Sequence, residues 1–227
     1  MGRKIFGKKD MAMKAIIFDM DGLMIDSERL YREAQSEIAR FFGKEVKDEV
    51  LWRMMGRKPL ESLVIFVEEH GIPATPEEVF RMRNEIMRGK LAHDLAAMPG
   101  LDHILAAAHG RVKLAVATGA QQEFLDLVVD RLGIRDCFDV LQSSDSVSVG
   151  KPDPEIYLAT CVKLGLEPRE CIVLEDSANG VLAGKRAGCL VIAVPSEYTE
   201  KQDFSPADSI VRDLFEASRQ IESLLAS

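Results

Sequence analysis

The sequence predicts an α/β fold, in which a mainly parallel sheet is covered by helices on both faces and is interrupted by an inserted all-helical unit. One apolar run of strand-forming residues lies near the start, from Ala15 to Phe18. From Leu101 onward, short apolar runs alternate with segments of helical periodicity, whereas the stretch between contains helical patterns alone. Strands that are separated by helices need crossover connections, which make neighbouring strands parallel. We therefore expect one α/β domain formed by residues 1–29 and 95–227, with a smaller helical domain formed by residues 30–94.

The inserted unit has clear helix signals. Apolar residues recur at helical spacing from Leu30 to Phe42, and a second apolar stretch runs from Val50 to Met55. Pro59 suits the first turn of a helix that Gly71 ends. The run from Thr75 to Glu78 is a capping box with proline at the first helical position, which predicts the start of another helix.

After Pro99 and Gly100 the pattern changes to alternating helices and strands. Helix ends are marked by glycines and strands by short β-branched or apolar runs. The predicted elements are a helix from Leu101 to Ala108, a strand from Lys113 to Ala117, a helix from Gln121 to Leu132, a strand from Asp139 to Gln142, a helix from Asp153 to Gly165, a strand from Cys171 to Leu174, a helix from Ser177 to Ala187, a strand from Leu190 to Val194, a weaker strand from Ser209 to Val211 and a final helix.

Composition and charge exclude several classes of protein. Hydrophobic residues make up 47% of the 227 residues, so the chain can bury a large core and is not intrinsically disordered. The formal net charge of -8 argues against non-specific nucleic-acid binding, which needs a basic surface. No apolar run approaches the roughly 20 residues that span a bilayer, and four cysteines without a CxxC pair indicate reduced thiols. We therefore expect a cytoplasmic monomer that binds neither nucleic acid nor membrane, with its four histidines exposed or half-buried.

Polar residues follow four of the predicted strands. Ligands bind beyond the carboxyl ends of the strands in open parallel sheets, so we expect these residues to meet at one edge. Carboxylates that meet at this edge would repel each other unless a cation or a shared proton reduced the repulsion. The residues are Asp19 and Asp21 with Gly22, Thr118 with Gly119 and Ala120, Lys151, and Glu175 with Asp176.

These side chains together suit the transfer of a phosphoryl group. Mg²⁺ is usually held by one or two carboxylates plus phosphate and water, and it would relieve the repulsion between Asp19 and Asp176. Lys151 and Thr118 would hold phosphate oxygens, and the helix N-termini after Thr118 and Asp176 would add backbone N–H groups. An aspartate can attack phosphorus as a nucleophile, while a second acid protonates the leaving oxygen and then activates water.

Two other interpretations of these motifs fit the spacing poorly. A calcium loop needs glycine at its sixth position, glutamate at its twelfth and a helix before it, whereas here Gly22 comes fourth and a strand precedes. A nucleotide-binding P-loop needs serine or threonine after its lysine, but Pro152 follows Lys151. We therefore reject both.

The chain resembles the haloacid dehalogenase superfamily in the order and spacing of its four motifs, which are Asp19-x-Asp21-Gly22, Thr118, Lys151-Pro152 and Glu175-Asp176. The phrases Phe-Asp-Met-Asp-Gly-Leu-Met-Ile-Asp-Ser-Glu, Gly-Lys-Pro-Asp-Pro-Glu-Ile-Tyr and Leu-Glu-Asp-Ser-Ala-Asn-Gly further resemble the phosphatases and mutases related to β-phosphoglucomutase. The resemblance covers nearly the whole chain, and the helical insertion matches the position of that family's small cap domain. It implies a Rossmann-like core, Mg²⁺ as the cofactor and a small phosphorylated metabolite as the substrate.

The resemblance also implies roles for individual residues. Asp19 would be the nucleophile and a metal ligand. Asp21 would be the general acid/base, with its backbone carbonyl on Mg²⁺. The remaining assignments are phosphate binding for Thr118, Gly119 and Lys151, and metal binding for Asp176 and, through water, for Glu175.

The turn between two helices of the insertion is basic. Arg57 and Lys58 follow Gly56 there. One interpretation is that the cap closes over the site and presents them to a negatively charged substrate. The alternative is a solvated basic turn.

Three reactions compete for this set of residues. Dehalogenation is disfavoured because halide needs no proton from Asp21 and that chemistry needs no Mg²⁺ site. Related mutases carry a histidine after the first motif and an arginine in the cap turn, where this chain has Tyr31 and Pro59, although Arg57 could substitute. We predict a Mg²⁺-dependent phosphatase that hydrolyses a small phosphomonoester, such as a sugar phosphate or nucleotide, through an aspartyl-phosphate. The alternatives are a sugar phosphate mutase and a phosphate-ligand-binding regulator without turnover.

Overall fold

The structure is a computed structural model that describes residues 12–54 and 59–226. In this part of the chain six strands form one parallel sheet, in the spatial order β3-β2-β1-β4-β5-β6. The predicted α/β fold class is therefore confirmed. The strands are β1 (Ala15–Phe18), β2 (Lys113–Ala117), β3 (Val140–Gln142), β4 (Cys171–Glu175), β5 (Leu190–Ala193) and β6 (Ser209–Ile210).

Helices connect the strands and cover both faces of the sheet. Five lie between β1 and β2, and the others follow the alternating order that the sequence predicts. The helices are α1 (Ser27–Phe41), α2 (Asp48–Met54), α3 (Pro59–His70), α4 (Pro76–His93), α5 (Leu101–Ala108), α6 (Gln122–Arg131), α7 (Glu155–Leu164), α8 (Ala178–Ala187) and α9 (Leu214–Leu225).

Side chains of the central strand alternate between the two faces, as period-two geometry requires. Ile16 and Phe18 join a buried cluster with α5, α6 and α9. Ala15 and Ile17 point the other way and pack with α7 and α8. All four side chains are fully buried, so β1 lies at the centre of the core.

The register of β1 determines which strand ends meet. Phe18, its last residue, pairs with Val116 of β2 and with Leu174 of β4. Because the three strands are parallel, the residues after Phe18 lie beside the carboxyl ends of both neighbours. Asp19 therefore lies at the edge of the sheet where the carboxyl ends of β2 and β4 also lie.

The helical segment between β1 and β2 has a core of its own. Ile38, Leu63, Phe66 and Val79 belong to a buried cluster that is separate from the two sheet faces. The predicted capping box is present, because the Thr75 side chain and its partner at the third helical position exchange hydrogen bonds. The first half of α1 and the second half of α4 instead pack on the sheet cluster, so the division at residues 29/30 and 94/95 stays a prediction.

Three polar contacts fasten this segment to α6, one of them from Arg131 Nε to the carbonyl oxygen of Ala92 at 2.9 Å. Asn84 Nδ2 donates to Gln121 Oε1 at 2.9 Å. The Arg88 guanidinium bonds both carboxylate oxygens of Glu123. Together they hold α4 against α6. That helix follows β2 and Thr118.

The buried side chains include one histidine that the sequence analysis expected to be exposed or half-buried. That expectation was wrong for His70, which is 6% exposed. Its Nε2 accepts from the backbone N–H of Lys47 at 3.0 Å, and its Nδ1 lies 2.9 Å from the carbonyl oxygen of Phe66. With both ring nitrogens bonded, the imidazole is satisfied inside the helical segment.

The cysteines are free thiols, but three of them lie close together. Cys161, Cys171 and Cys189 are buried, and Cys137 is half-buried. The sulfurs of Cys161 and Cys171 are 3.7 Å apart.

Within the described residues, no helix has the length and apolar character needed to cross a membrane.

Gly184 of α8 is predicted to be essential for close packing of that helix on the sheet. A Cβ added there would lie 2.8 Å from Val191 Cγ2, whereas a Cβ on exposed Gly89 of α4 would meet nothing within 4 Å. We expect Gly184→Ala to destabilise the protein by about 1–3 kcal/mol through overpacking. Gly89→Ala should stabilise it by about 0.5–1 kcal/mol. Urea unfolding measures both, and equal effects of the two variants would contradict the packing argument.

Candidate active site

The chain turns sharply after β1 at Gly22. Asp19 still donates its backbone N–H to the carbonyl oxygen of Leu174 at 3.0 Å, which keeps it beside β4. Gly22 has φ +77°, a conformation that favours glycine. A Cβ at Gly22 would lie 2.3 Å from Asp176 Oδ2. The missing side chain therefore lets the loop after β1 contact the acid that follows β4.

Lys151 joins the ends of three strands. Its Nζ lies 2.5 Å from Asp19 Oδ1 and 2.6 Å from Glu175 Oε1, and it also donates to the carbonyl oxygen of Ala117 at 3.2 Å. The ammonium additionally sits 4.9 Å from the ring centroid of Tyr157. The predicted phosphate-binding lysine is thus held inside the acidic edge.

Glu175 is fully buried, and both of its carboxylate oxygens are occupied. Oε1 accepts from Lys151 and, at 2.6 Å, from the Tyr157 hydroxyl. Oε2 accepts from the backbone N–H and the hydroxyl of Ser177 at 3.2 and 3.0 Å. Gly180 makes room for this carboxylate, because a Cβ there would lie 1.7 Å from Oε1. Glu175 therefore positions Lys151 and the start of α8.

Sequence reasoning gave no role to Tyr157, Ser177 or Gly180. All three stand inside the phrases that carry the family resemblance, and that was the available signal. Nothing in the spacing showed that α7 would bring Tyr157 beneath the acid that ends β4.

A hard cation fits the acidic edge. Oxygens of Asp19, Glu175 and Asp176 lie within 4.8 Å of one another, and all three residues are buried. Because Glu175 is already bonded by four donors, Asp19 and Asp176 are the carboxylates that remain for a metal. Two carboxylates plus phosphate and water oxygens form the ligand set that Mg²⁺ prefers.

Asp21 and Thr118 face each other across the edge. The Thr118 hydroxyl donates to Asp21 Oδ2 at 3.2 Å and accepts from the backbone N–H of Ala120 at 3.0 Å. Thr118 is fully buried, and Gly119 lines the cleft beside it. The structure thus brings together Asp19, Asp21, Thr118, Gly119, Lys151, Glu175 and Asp176, while their chemical roles stay predictions.

Burial dominates the protonation of this edge. It raises the pKa of Asp19 to about 8, against the lowering effect of Lys151. It also raises the pKa of Asp21, opposed by the hydrogen bond from Thr118. The pKa of Asp176 is well above its usual range through burial and the neighbouring Glu175. Burial disfavours the charged form of Lys151, but Asp19 and Glu175 outweigh it and hold the pKa of Lys151 well above its usual value.

The acidic edge forms the floor of a cleft of about 690 Å³. Residues of α1, α3 and α4 line its opposite wall, including Glu28, Tyr31, Leu60 and Phe80. The predicted substrate contacts Arg57 and Lys58 lie outside the described residues. The helical segment therefore faces the acids across an enclosed space of small-molecule size.

Comparison with known proteins identifies the family. The family model described as haloacid dehalogenase-like hydrolase matches residues 13–188. The chain belongs to this family. It is 37% identical over 177 residues to the phosphorylated carbohydrates phosphatase of Thermotoga maritima, covering 78% of this chain and 82% of that protein.

Two further relatives agree with this assignment. The (DL)-glycerol-3-phosphatase 1 of Arabidopsis thaliana is 33% identical over 211 residues, covering 88% of this chain and 70% of that protein. The crystal structure of a candidate β-phosphoglucomutase from Thermotoga maritima superposes with a TM-score of 0.73 at 32% identity, covering 94% of this chain and 97% of that one. The chain is therefore an enzyme, a phosphoric monoester hydrolase of the haloacid dehalogenase-like family.

The hydrogen bond from Tyr157 to Glu175 gives a direct test of the buried network. Tyr157→Phe removes one donor from a fully buried carboxylate, so we expect a loss of about 1.5–3 kcal/mol in the free energy of unfolding. Tyr198→Phe, on a half-buried residue outside the cleft, should change it by less than about 0.5 kcal/mol. Urea unfolding of both variants is the measurement, and an unchanged Tyr157→Phe protein would show that the contact contributes nothing.

Proposed function

We propose that this enzyme is a Mg²⁺-dependent phosphatase that hydrolyses a small phosphomonoester through an aspartyl-phosphate on Asp19. The observation that carries the proposal is the convergence of two aspartates, a hydroxyl, a lysine and a third aspartate from four strand ends on one cleft. The names of the relatives support a phosphorylated carbohydrate or a polyol phosphate as the kind of substrate.

Asp19 would attack the phosphorus, forming a bond from its carboxylate oxygen while the bond from phosphorus to the leaving oxygen breaks. Asp21 would donate its proton to that leaving oxygen, which its raised pKa favours. In the second step Asp21 would take a proton from water as the water attacks phosphorus, which releases phosphate and restores Asp19.

Other residues would hold the phosphoryl group in place. Lys151 and Thr118 would bind its oxygens, and the backbone at Gly119 would contribute an N–H group. Asp19, Asp176 and the backbone carbonyl of Asp21 would hold Mg²⁺, with Glu175 reaching it at most through water. When bound, the cation would offset negative charge that accumulates on the phosphoryl oxygens.

We further propose that residues 30–94 act as a cap domain. The cleft lies between this segment and the acidic edge, so movement of the segment would control access. Arg57 and Lys58 are proposed to meet the substrate from the cap.

Turnover of a substrate panel tests the reaction class. We expect Mg²⁺-dependent phosphate release from some sugar, glycerol or nucleoside phosphates, and at least a roughly 1,000-fold loss of kcat in Asp19→Asn because the nucleophile is gone. The control Asp102→Asn changes an exposed aspartate on α5 and should leave kcat unchanged. Trapping with hydroxylamine should detect the aspartyl-phosphate in the wild-type enzyme.

Three outcomes would contradict the proposal. Intact turnover in Asp19→Asn would remove the nucleophile assignment. Conversion of β-glucose 1-phosphate to glucose 6-phosphate faster than its hydrolysis would favour a mutase. Absence of any Mg²⁺-dependent turnover would favour a ligand-binding regulator.

The pH dependence of metal binding tests the metal assignment. Without metal, an acid whose pKa rises on folding costs stability as pH increases, so Asp19 should lower stability between about pH 4 and pH 8. Mg²⁺ competes with protons for the same carboxylates, so it should stabilise the protein more at pH 8.5 than at pH 6. At about 100 times Kd the gain is about 2.7 kcal/mol, or roughly 5–10 °C in Tm.

Differential scanning fluorimetry at matched ionic strength measures this shift. Asp176→Asn should lose most of it at both pH values. A shift that is the same in Asp176→Asn, or larger at pH 6, would show that Mg²⁺ binds elsewhere.

A further inference from the structure

Glu28 places a carboxyl group in the cleft that has no partner among residues 12–54 and 59–226. It lies in the first turn of α1, is half-buried and lines the cleft. Among the described residues no hydrogen bond or salt bridge ends on its carboxylate. Burial raises its pKa to about 7, with Asp21 adding to the effect. A carboxyl group that is kept out of water without a partner costs free energy, and a ligand that donates a hydrogen bond to it would offset that cost.

Tyr31 presents a second unpaired polar group on the same side of α1. It follows Glu28 by three positions, a spacing that places two side chains on one helix face. Tyr31 also lines the cleft, and no hydrogen bond of its hydroxyl occurs within the described residues. An adjacent acceptor and donor therefore face the same space.

Arg83 fixes the ring of Tyr31 from behind. Its guanidinium carbon is 5.4 Å from the Tyr31 ring centroid and 5.1 Å from that of Phe80. Arg83 is only 8% exposed, and its Nε has no hydrogen-bond partner in the described part of the chain. A buried cation stacked on two rings restricts their movement, so the Tyr31 hydroxyl keeps one direction.

Both groups share the cleft with Asp21, and Glu28 also contributes to raising the pKa of Asp176. The Asp21 carboxylate contributes to raising the pKa of Glu28 and of Tyr31, after burial in each case. Asp21 is the proposed proton donor to the leaving oxygen. Glu28 and Tyr31 therefore lie on the leaving-group side of the reacting phosphorus.

Glu28 does not belong to the metal cluster. The acids whose oxygens lie within 4.8 Å of one another are Asp19, Glu175 and Asp176, without Glu28. A ligand carrying a positive charge is also disfavoured beside Tyr31, because Arg83 lies behind its ring. A neutral donor is the better match for this pair.

We propose that Glu28 and Tyr31 form a hydroxyl-binding subsite that selects phosphomonoesters with free hydroxyls on the carbons next to the ester, as polyol and sugar phosphates have. The subsite rests on the phosphatase function proposed above and adds a reason for its specificity. Arg83 is a positioning residue for Tyr31 and does not contact the substrate.

Matched substrates and variants test the subsite. The substrates are the best polyol or sugar phosphate of the panel, its deoxy analogue that lacks the neighbouring hydroxyls, and p-nitrophenyl phosphate. We expect Glu28→Gln and Tyr31→Phe to lower kcat/KM for the hydroxylated substrate by about 10- to 100-fold, because the first removes the charge that strengthens a hydrogen bond and the second removes the hydroxyl that makes one. Turnover of the deoxy analogue and of p-nitrophenyl phosphate should stay within about twofold of wild type.

Control variants on residues outside the cleft separate this effect from general damage. Glu37→Gln changes an exposed acid on the same helix, and Tyr198→Phe removes another phenolic hydroxyl, so both should keep the wild-type substrate preference. Arg83→Met should lower kcat/KM for the hydroxylated substrate selectively, because it frees the Tyr31 ring. Combined with Tyr31→Phe it should add little.

Each contrary result has a distinct meaning. Equal losses on all three substrates would overturn the subsite, as would a preference for O-phosphoethanolamine over polyol phosphates. A higher Mg²⁺ concentration for half-activation in Glu28→Gln would assign Glu28 to the metal site and overturn the proposal. If wild-type enzyme hydrolyses p-nitrophenyl phosphate but the variants show no hydroxyl-dependent loss, this inference alone fails. If wild type hydrolyses nothing with Mg²⁺, the phosphatase proposal fails as well.

Discussion

Lys151 is the group on which the carboxyl edge of the sheet depends. Its ammonium binds Asp19 and Glu175 in a place largely hidden from water. Taking ions out of water costs several kcal/mol for each, and removing one member of a buried pair leaves that cost uncompensated. Burial raises the pKa values of the three aspartates, and one ammonium cannot balance Asp19, Asp21, Glu175 and Asp176 together. The same imbalance makes the edge suited to a divalent cation.

Two glycines allow so many charges to gather. A side chain at Gly22 or Gly180 would overlap the carboxylates of Asp176 and Glu175 respectively. At Gly22 the loop after β1 approaches the acid that follows β4, and at Gly180 the first turn of α8 folds back over Glu175, the last residue of β4. The crowding is therefore created by the backbone path, and the carboxylate chemistry depends on residues that have no side chain at all.

The sequence predicted the sheet and its helices well because each element carries a local signal. The apolar run before Asp19, the glycine helix ends and the capping box at Thr75 all act within a few residues. Contacts between distant segments carry no such signal. Tyr157 reaches Glu175 of β4 from α7, and buried His70 accepts a hydrogen bond from the backbone of Lys47, 23 residues away. The acids of the site were predictable because parallel strands collect their carboxyl ends at one edge, whereas the residues that orient them were not.

The proposed chemistry and the proposed substrate selection fall on two parts of the chain that α1 connects. The acids stand at the ends of β1 and β4, two fully buried strands whose register limits their movement. Glu28 and Tyr31 stand on α1, whose first half packs on the sheet cluster and whose second half joins the core of the helical segment. The contacts that fasten this segment to α6 include the exposed pair Arg88 and Glu123. Exposed ion pairs contribute only about 0–1 kcal/mol. This ion pair therefore adds little to the attachment of the segment, whereas Leu30 and Ala34 of α1 and Met87 and Leu91 of α4 are buried against the sheet.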